Sequence, residues 1–540
     1  MKSLFFRLSS VFMFGLLFFY SCSGTQKSQE SQEPVAAVVA EVEIPAIIPL
    51  PQSVEWGANT YAVPTQNVIC YTAGSEKSAK WLQQLLTGAR ISSSTTLGNG
   101  CGNWNITVDS SLEGETGEEG YLLEVNDSGI SLKAATEAGL FYGIQTLRQM
   151  FPSEIENREF DGQVVLRQTS IKDQPEFSWR GTMVDVARSF FGLDYLKRHV
   201  DRMSLYKMNR LHLHLTDDQG WRIEIKGWPK LTEVGGKSSV RRGRAGFLTQ
   251  EEYKELQEYA LARNIIIIPE IDMPGHIYAA LVSYPELNCE GYSNLDPQRV
   301  TPPEMYEDYN VGWSKFCLEN PEIYDFVTDV VGEMSEITKG PWIHIGGDEI
   351  EDPRYEEFVV KADSIVQTYG KTSIGWEEVT KAEVSPSLIS QEWHGEVESV
   401  VEGNKVIHSL CSQYYLDHAN VPGQENTNNW CKKEGVSLED SYSFNNDNPN
   451  VIGIEAPVWS EFVLTDEMMD NRFWPRTIAA AEIGWTSGER RDYESFKQRL
   501  GKHGERLRAL DINFFRTPGV DWGSEKAIPG IFSNFTSASE

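Results

Sequence analysis

From Pro175 onward, short apolar stretches alternate with amphipathic ones, and this rhythm restricts the fold more than any other feature of the chain. Candidate strands occupy 182–186, 211–215, 265–271, 342–345, 372–376, 388–393, 405–410 and 451–457, with helices expected over 195–207, 250–263, 321–337 and 353–369. Residues 265–268 are continuously apolar, as a strand buried on both faces requires. Eight strands, mostly parallel by their spacing, predict a (β/α)8 TIM barrel over 176–518. The connections after the sixth and seventh strands are irregular. The loops at 283–320 and 412–450 are long, as loops that shape a pocket usually are.

Ahead of the barrel, 45–168 reads as a small α+β domain. Tyr121, Leu123 and Val125 alternate, as do Ile130 and Leu132, about a turn at Asn126-Asp127. A helix is expected over 134–151, with Leu140, Ile144, Leu147 and Met150 on one face. This domain carries no catalytic constellation and is expected to serve packing.

The first residues read as an address. Lys2 and Arg7 precede an apolar run over 11–20, shorter than the roughly 20 residues a membrane-spanning helix needs. That pattern is a secretory signal over 1–21. Phe19-Tyr20-Ser21-Cys22-Ser23 resembles a bacterial lipobox, so Cys22 is expected to carry lipid and 22–44 to form a flexible tether. The protein is then exported and anchored to a bacterial membrane on its periplasmic or outer face; an ordinary signal peptide with an incidental cysteine is the alternative. The C-terminal tail spans 519–540.

Six further cysteines (Cys70, Cys101, Cys289, Cys317, Cys411, Cys431) allow fifteen disulfide connectivities. Nearest-neighbour pairing is attractive because each pair brackets a loop or small unit, with buried free thiols as the alternative. With 48 Lys+Arg against 79 Asp+Glu, the net charge of −31 repels phosphate backbones and argues against a nucleic-acid partner.

Polar residues gather at the C-terminal ends of the candidate strands, where barrel enzymes keep their sites. In strand order these are Asp185 and Arg188; Asp217-Asp218; Glu270, Asp272 and His276; His344 to Glu349; Trp376-Glu377-Glu378; Trp393-His394; Tyr415 and Asp417; and Trp459 and Glu461. Carboxylates suit acid/base work, flat indoles suit stacking, and Arg188, Asp417 and Glu461 suit directed hydrogen bonds. Together they describe a carbohydrate site. No phosphate-binding glycine loop and no GxSxG elbow is found in the right context. Asp348-Glu349 is the sharpest signal, because two adjacent carboxylates repel each other and persist only where partners or function require them. His212 and His214 share a strand face and could bind a metal, but buried, hydrogen-bonded histidines are the better reading.

With these residues in hand, the chain resembles glycoside hydrolase family 20, the β-N-acetylhexosaminidases, over about 45–518. The motifs that carry the resemblance are Arg180-Gly181-Thr182-Met183-Val184-Asp185-Val186-Ala187-Arg188, Leu213-His214-Leu215-Thr216-Asp217-Asp218-Gln219-Gly220-Trp221-Arg222, Glu270-Ile271-Asp272-Met273-Pro274-Gly275-His276, and His344 to Glu349. It implies an exo-acting, retaining hydrolase of terminal β-linked GlcNAc or GalNAc, without cofactor or metal, in which the substrate's own acetamide oxygen is the nucleophile. It further implies Glu349 as acid then base, Asp348 as the acetamide's electrostatic partner, and Tyr415 as donor to the acetamide oxygen. Trp376, Trp393 and Trp459 would wall the acetamide pocket. Arg188, Asp417 and Glu461 would hold ring hydroxyls, Asp217 and His276 would support Glu349, and Trp430 would carry the next sugar. A glycan-binding protein that has lost catalysis is the alternative.

Overall fold

The computed structural model describes residues 43–395 and 404–523. The expected leader, the tether with Cys22 and most of the C-terminal tail lie outside them. No helix among the described residues is long and apolar enough to cross a membrane.

The N-terminal domain is a seven-stranded mixed sheet. Its strands are β1 (Ser53–Ala62), β2 (Gln66–Tyr71), β3 (Ser92–Leu97), β4 (Trp104–Val108), β5 (Tyr121–Asn126), β6 (Gly129–Ala134) and β7 (Val165–Asp173), in the order β1-β7-β5-β6-β4-β2-β3. The alternation about Asn126 is the antiparallel β5–β6 hairpin, in which Asn126 pairs with Gly129. The helix expected over 134–151 is Glu137–Met150, because Ala134 still belongs to β6 and Thr136 caps the helix by accepting from the N–H groups of Ala138 and Gly139. The sheet also runs past the expected limit at 168, since β7 ends at Asp173.

Eight parallel strands then close into a barrel. They are β8 (Trp179–Asp185), β9 (Arg210–His214), β10 (Ile266–Glu270), β11 (Trp342–His344), β12 (Thr372–Trp376), β13 (Ile389–Glu392), β14 (Lys405–His408) and β15 (Val451–Val458). Each overlaps a stretch expected from the sequence. Helices Leu193–Leu205, Gln250–Leu261, Glu322–Ile337 and Tyr355–Thr368 pack outside. Thr249 and Glu252 form a capping box that starts the second of these, satisfying amides the first turn leaves unpaired. Between β14 and β15 the described chain makes only short helices, Cys411–Tyr414 and Leu438–Ser441, and the helices Asp466–Phe473, Arg476–Trp485 and Tyr493–Ala509 follow β15.

The barrel interior is apolar towards the strand starts, where Trp179, Ile268, Ile374, Ile389 and Ile407 cluster. Above them it turns polar, with His212, His344, Glu270, Gln391 and Glu455 all buried. The two domains are joined by a buried ion pair, Lys207–Asp173 at 2.8 Å, and by a half-buried one, Arg180–Glu119 at 2.9 Å. The three nearest-neighbour disulfides are all present: Cys70–Cys101, Cys289–Cys317 and Cys411–Cys431. The last staples the segment bearing Trp430 beside Tyr415.

Candidate active site

Two backbone devices bring the catalytic candidates to the mouth of the barrel. The first is the turn after β11. A Cβ on Gly346 would lie 1.7 Å from Asp272 Oδ1, so only glycine passes there, and Gly346 and Gly347 both have positive φ. Asp272 accepts from the Gly347 N–H at 3.3 Å, and the Tyr355 hydroxyl donates to the Gly347 carbonyl at 2.5 Å. Glu349 leaves this turn at φ +57°, a left-handed conformation that costs a non-glycine residue energy and that surrounding structure must enforce. His276, which faces it, is also left-handed at φ +51°. The second device is Asp185 at the end of β8. It accepts from the N–H groups of Ala187 (2.8 Å) and Arg188 (3.0 Å) and, on its other oxygen, from Ser460 N–H (2.8 Å). One carboxylate thereby locks the loops that carry Arg188, Trp459 and Glu461.

The charged residues form a connected chain. His276 Nε2 faces Asp348 Oδ2 at 3.6 Å and Glu349 Oε2 at 3.5 Å, while its Nδ1 faces Asp217 Oδ1 at 3.7 Å. Asp217 is paired with Arg188 at 2.7 Å and with His214 at 2.9 Å. His214 donates on to Glu270 at 2.6 Å. Glu270 also accepts from the Trp376 indole at 2.8 Å and contacts His212 at 3.0 Å, and His212 meets Glu455 at 2.8 Å. Burial alone would depress His212, but Glu455 and Glu270 override it and hold the imidazole up at about 9.

Glu270 and Glu455 are structural hubs to which sequence reasoning gave no role. The signal was a carboxylate inside a strand that is otherwise apolar and doubly buried. Three groups have donor atoms close enough to share an ion: His212/Glu270/His344, His214/Glu270/Asp272 and Asp217/Asp272/His276. No group contains both His212 and His214. Their ring nitrogens are directed at Glu455, Glu270 and Asp217, which matches the reading of these histidines as hydrogen-bonded core residues.

The aromatic residues build a cage next to this chain. Trp376 and Trp459 lie 5.7 Å apart by ring centroids, Tyr415 and Trp459 6.1 Å, and Trp393 is stacked with Tyr415 at 6.3 Å and 13°. The Arg188 guanidinium sits 4.9 Å from the Trp459 ring and links cage to charges. Trp430 stands at the rim, 45% exposed and 5.6 Å from Trp393. Asp417 is buried against His418 at 3.2 Å and, with Arg188, Asp185 and Glu461, makes a second charged corner. The residues expected to form the sugar site are thus brought to one mouth, while Cys22 lies outside the described residues. Asp348 Oδ1, Asp417 Oδ1 and Arg188 Nε are buried without a hydrogen-bond partner among the described residues, as groups kept for a polar ligand are.

The adjacent carboxylates differ in environment. Burial, reinforced by the charges of Glu378, Glu349 and Glu270 and opposed by His276, pushes Asp348 up to about 7. Glu349 is also desolvated, yet the hydrogen bond and charge of His276, with Arg188 behind, hold it below the ordinary range. In the free protein Asp348 therefore holds a proton more readily than Glu349 does.

Residues 177–358 and 354–488 match the family model described as Glycosyl hydrolase family 20, catalytic domain, and 44–174 match Glycosyl hydrolase family 20, domain 2. A Beta-hexosaminidase of Porphyromonas gingivalis is 33% identical over 512 residues, 87% of this chain but 64% of its own length. A Beta-N-acetylhexosaminidase of Cellulomonas fimi is 32% identical, covering 77% of this chain and 84% of its own. Among solved structures, a mutant Streptomyces plicatus beta-hexosaminidase in complex with product (GlcNAc) superposes with a TM-score of 0.83 at 35% identity, covering 90% of this chain and 99% of that one.

Proposed function

Because the chain belongs to glycosyl hydrolase family 20, we propose that it is an exo-acting, retaining β-N-acetylhexosaminidase that removes terminal β-linked GlcNAc or GalNAc by substrate-assisted catalysis. The observation that carries this reading is the Asp348-Glu349 pair. Two adjacent carboxylates with opposite proton preferences share His276 and open onto a cage of Trp376, Trp393, Tyr415 and Trp459. Paired carboxylates that flank a scissile bond must stand several ångströms apart on opposite sides of the sugar, and neighbours in sequence after one strand do not suit that arrangement. They suit a mechanism in which one acts on the leaving group and the other on the substrate's own acetamide.

In this scheme the cage encloses the acetamide. Its N–H donates to Asp348, and the positive charge that develops on the acetamide favours Asp348 as the anion, so the proton of the pair resides on Glu349 when the glycosidic bond breaks. Glu349 then protonates the glycosidic oxygen while the acetamide oxygen, held by the Tyr415 hydroxyl, attacks the anomeric carbon. Asp348 stabilises the positive charge of the oxazolinium ion so formed. Glu349, now ionised, takes a proton from the water that opens it. Arg188 holds the C3 and C4 hydroxyls, Asp417 and Glu461 those at C4 and C6, and Trp430 offers a face to the next sugar.

The test compares p-nitrophenyl β-N-acetylglucosaminide with p-nitrophenyl β-glucoside, each with and without EDTA. Fast, EDTA-insensitive release from the first and almost none from the second is expected. Comparable release from both would make a protein carboxylate the nucleophile and overturn the scheme.

From the lipobox-like Phe19-Tyr20-Ser21-Cys22-Ser23 we further propose that the protein is exported and anchored through lipid on Cys22. Replacing Cys22 by Ser is expected to move activity from the membrane fraction to the soluble one. Retention at the membrane would overturn the anchor.

A further inference from the structure

We propose that Glu378 is a positioning residue of this site, which ties the wall of the acetamide pocket to the backbone of the catalytic pair and sets a carboxylate beside it. The proposal rests on the hexosaminidase reading. Glu378 lies two residues past β12, in the short helical turn Glu377–Lys381. Its Oε2 accepts from the Trp393 indole N–H at 3.0 Å, and its Oε1 accepts from the backbone N–H of Glu349 at 3.5 Å. One side chain thus holds a wall of the cage and the residue whose left-handed backbone needs enforcement. The division of labour with its neighbour is clear. Glu377 spends Oε2 on the backbone N–H groups of Trp393, His394 and Gly395, fixing the main chain after β13, while Glu378 fixes the indole itself.

The charge of Glu378 matters as well. Among the described residues it forms no ion pair with Lys or Arg, although it stands beside two other carboxylates. A tether alone does not need that charge, since an amide oxygen also accepts an indole N–H. The groups that face Asp348 include His276, Glu349, Glu378, Glu270, Asp272, Tyr355 and Tyr415, while Glu349 also feels Arg188 and Asp217, so the cations about the pair are His276 and Arg188. After burial, Glu378 is the strongest of the anions that favour protonated Asp348. Without it Asp348 would ionise at lower pH, and the pair would supply Glu349 with a proton over a narrower pH range.

The experiment separates charge from reach. Glu378→Gln removes the charge and leaves one acceptor oxygen. Glu378→Asp keeps the charge but withdraws it by one methylene, releasing Trp393. For both variants and the parent, kcat and KM for p-nitrophenyl β-N-acetylglucosaminide would be measured across pH, with the inhibition constant of free GlcNAc. In Glu378→Gln the basic limb of kcat/KM is expected to move towards acid by about 0.5–1 pH unit, the size of effect a neighbouring charge exerts. In Glu378→Asp that limb should stay, while KM and the GlcNAc constant rise about five-fold, the worth of one hydrogen bond. Profiles that superimpose on the parent's, with only melting temperature changed, would overturn the proposal. An inactive parent would instead overturn the hexosaminidase reading, and GlcNAc binding to Glu378→Asp would still report whether Glu378 anchors Trp393.

Discussion

Replacing Asp348 by Asn is expected to remove nearly all turnover and, at neutral pH and above, to make the protein more stable. Both effects come from one buried carboxyl. In the reaction Asp348 must be negative, because it faces the positive charge that develops on the oxazolinium ion. A preorganised group of this kind is worth about 10²–10³-fold in kcat, and the amide that replaces it presents a dipole with no net charge. In the resting fold that same charge is a burden. The native carboxyl keeps its proton up to about pH 7, whereas the unfolded chain releases it near 3.8. Between those values the native state binds the extra proton, so stability falls as pH rises, and above pH 7 the loss is complete. Asn never ionises and escapes the penalty. Its advantage should be absent at pH 4, grow to pH 7 and stay constant beyond, as a gain of about 1–3 °C in Tm at pH 8. Hydrolysis rates and paired melting curves at pH 4 and 8 check it. Unchanged turnover would remove Asp348 from the mechanism, and a Tm difference that does not depend on pH would show that its charge is not a burden.

The second large effect is at Glu349, and it should depend on the leaving group. Glu349→Gln keeps the side chain's size but can neither give nor take a proton. A natural glycosidic oxygen leaves as an alkoxide unless protonated, so hydrolysis of a GlcNAc disaccharide should fall about 10³–10⁴-fold, the upper range for general acid catalysis. An activated aryl glycoside needs little protonation to leave. Its first step should survive with about a ten-fold loss, and opening of the oxazolinium ion, now without its base, should become limiting. A burst of phenolate followed by slow turnover is the expected trace. An equal loss for both substrates would show that Glu349 is not the acid.

Much of this site is legible in the sequence because its signals are local. Strand endings such as Trp376-Glu377-Glu378 and Trp393-His394 follow apolar stretches of the right length, and every barrel strand keeps its chemistry at the same end. Gly346-Gly347 before Asp348-Glu349 announces a sharp turn, and the fold uses it where a Cβ would strike Asp272. Errors fall where two elements meet. The expected helix over 134–151 starts late because Ala134 is claimed by a strand pairing with β4, which periodicity along one segment does not encode.

The sequence by itself determined the barrel, the domain ahead of it and the identities of the residues at the mouth, since these depend on spacing along the chain. Only the tertiary structure decided which cysteines pair, that Glu270 gathers His212, His214 and Trp376, that Trp430 stands over Trp393, and which of the adjacent carboxylates holds the proton. Glu378 carries the same lesson, because its role follows from an indole and an amide that approach it from other strands. A carboxylate's charge state is set by burial and by the field of every neighbouring charge, and those neighbours come from all around the barrel.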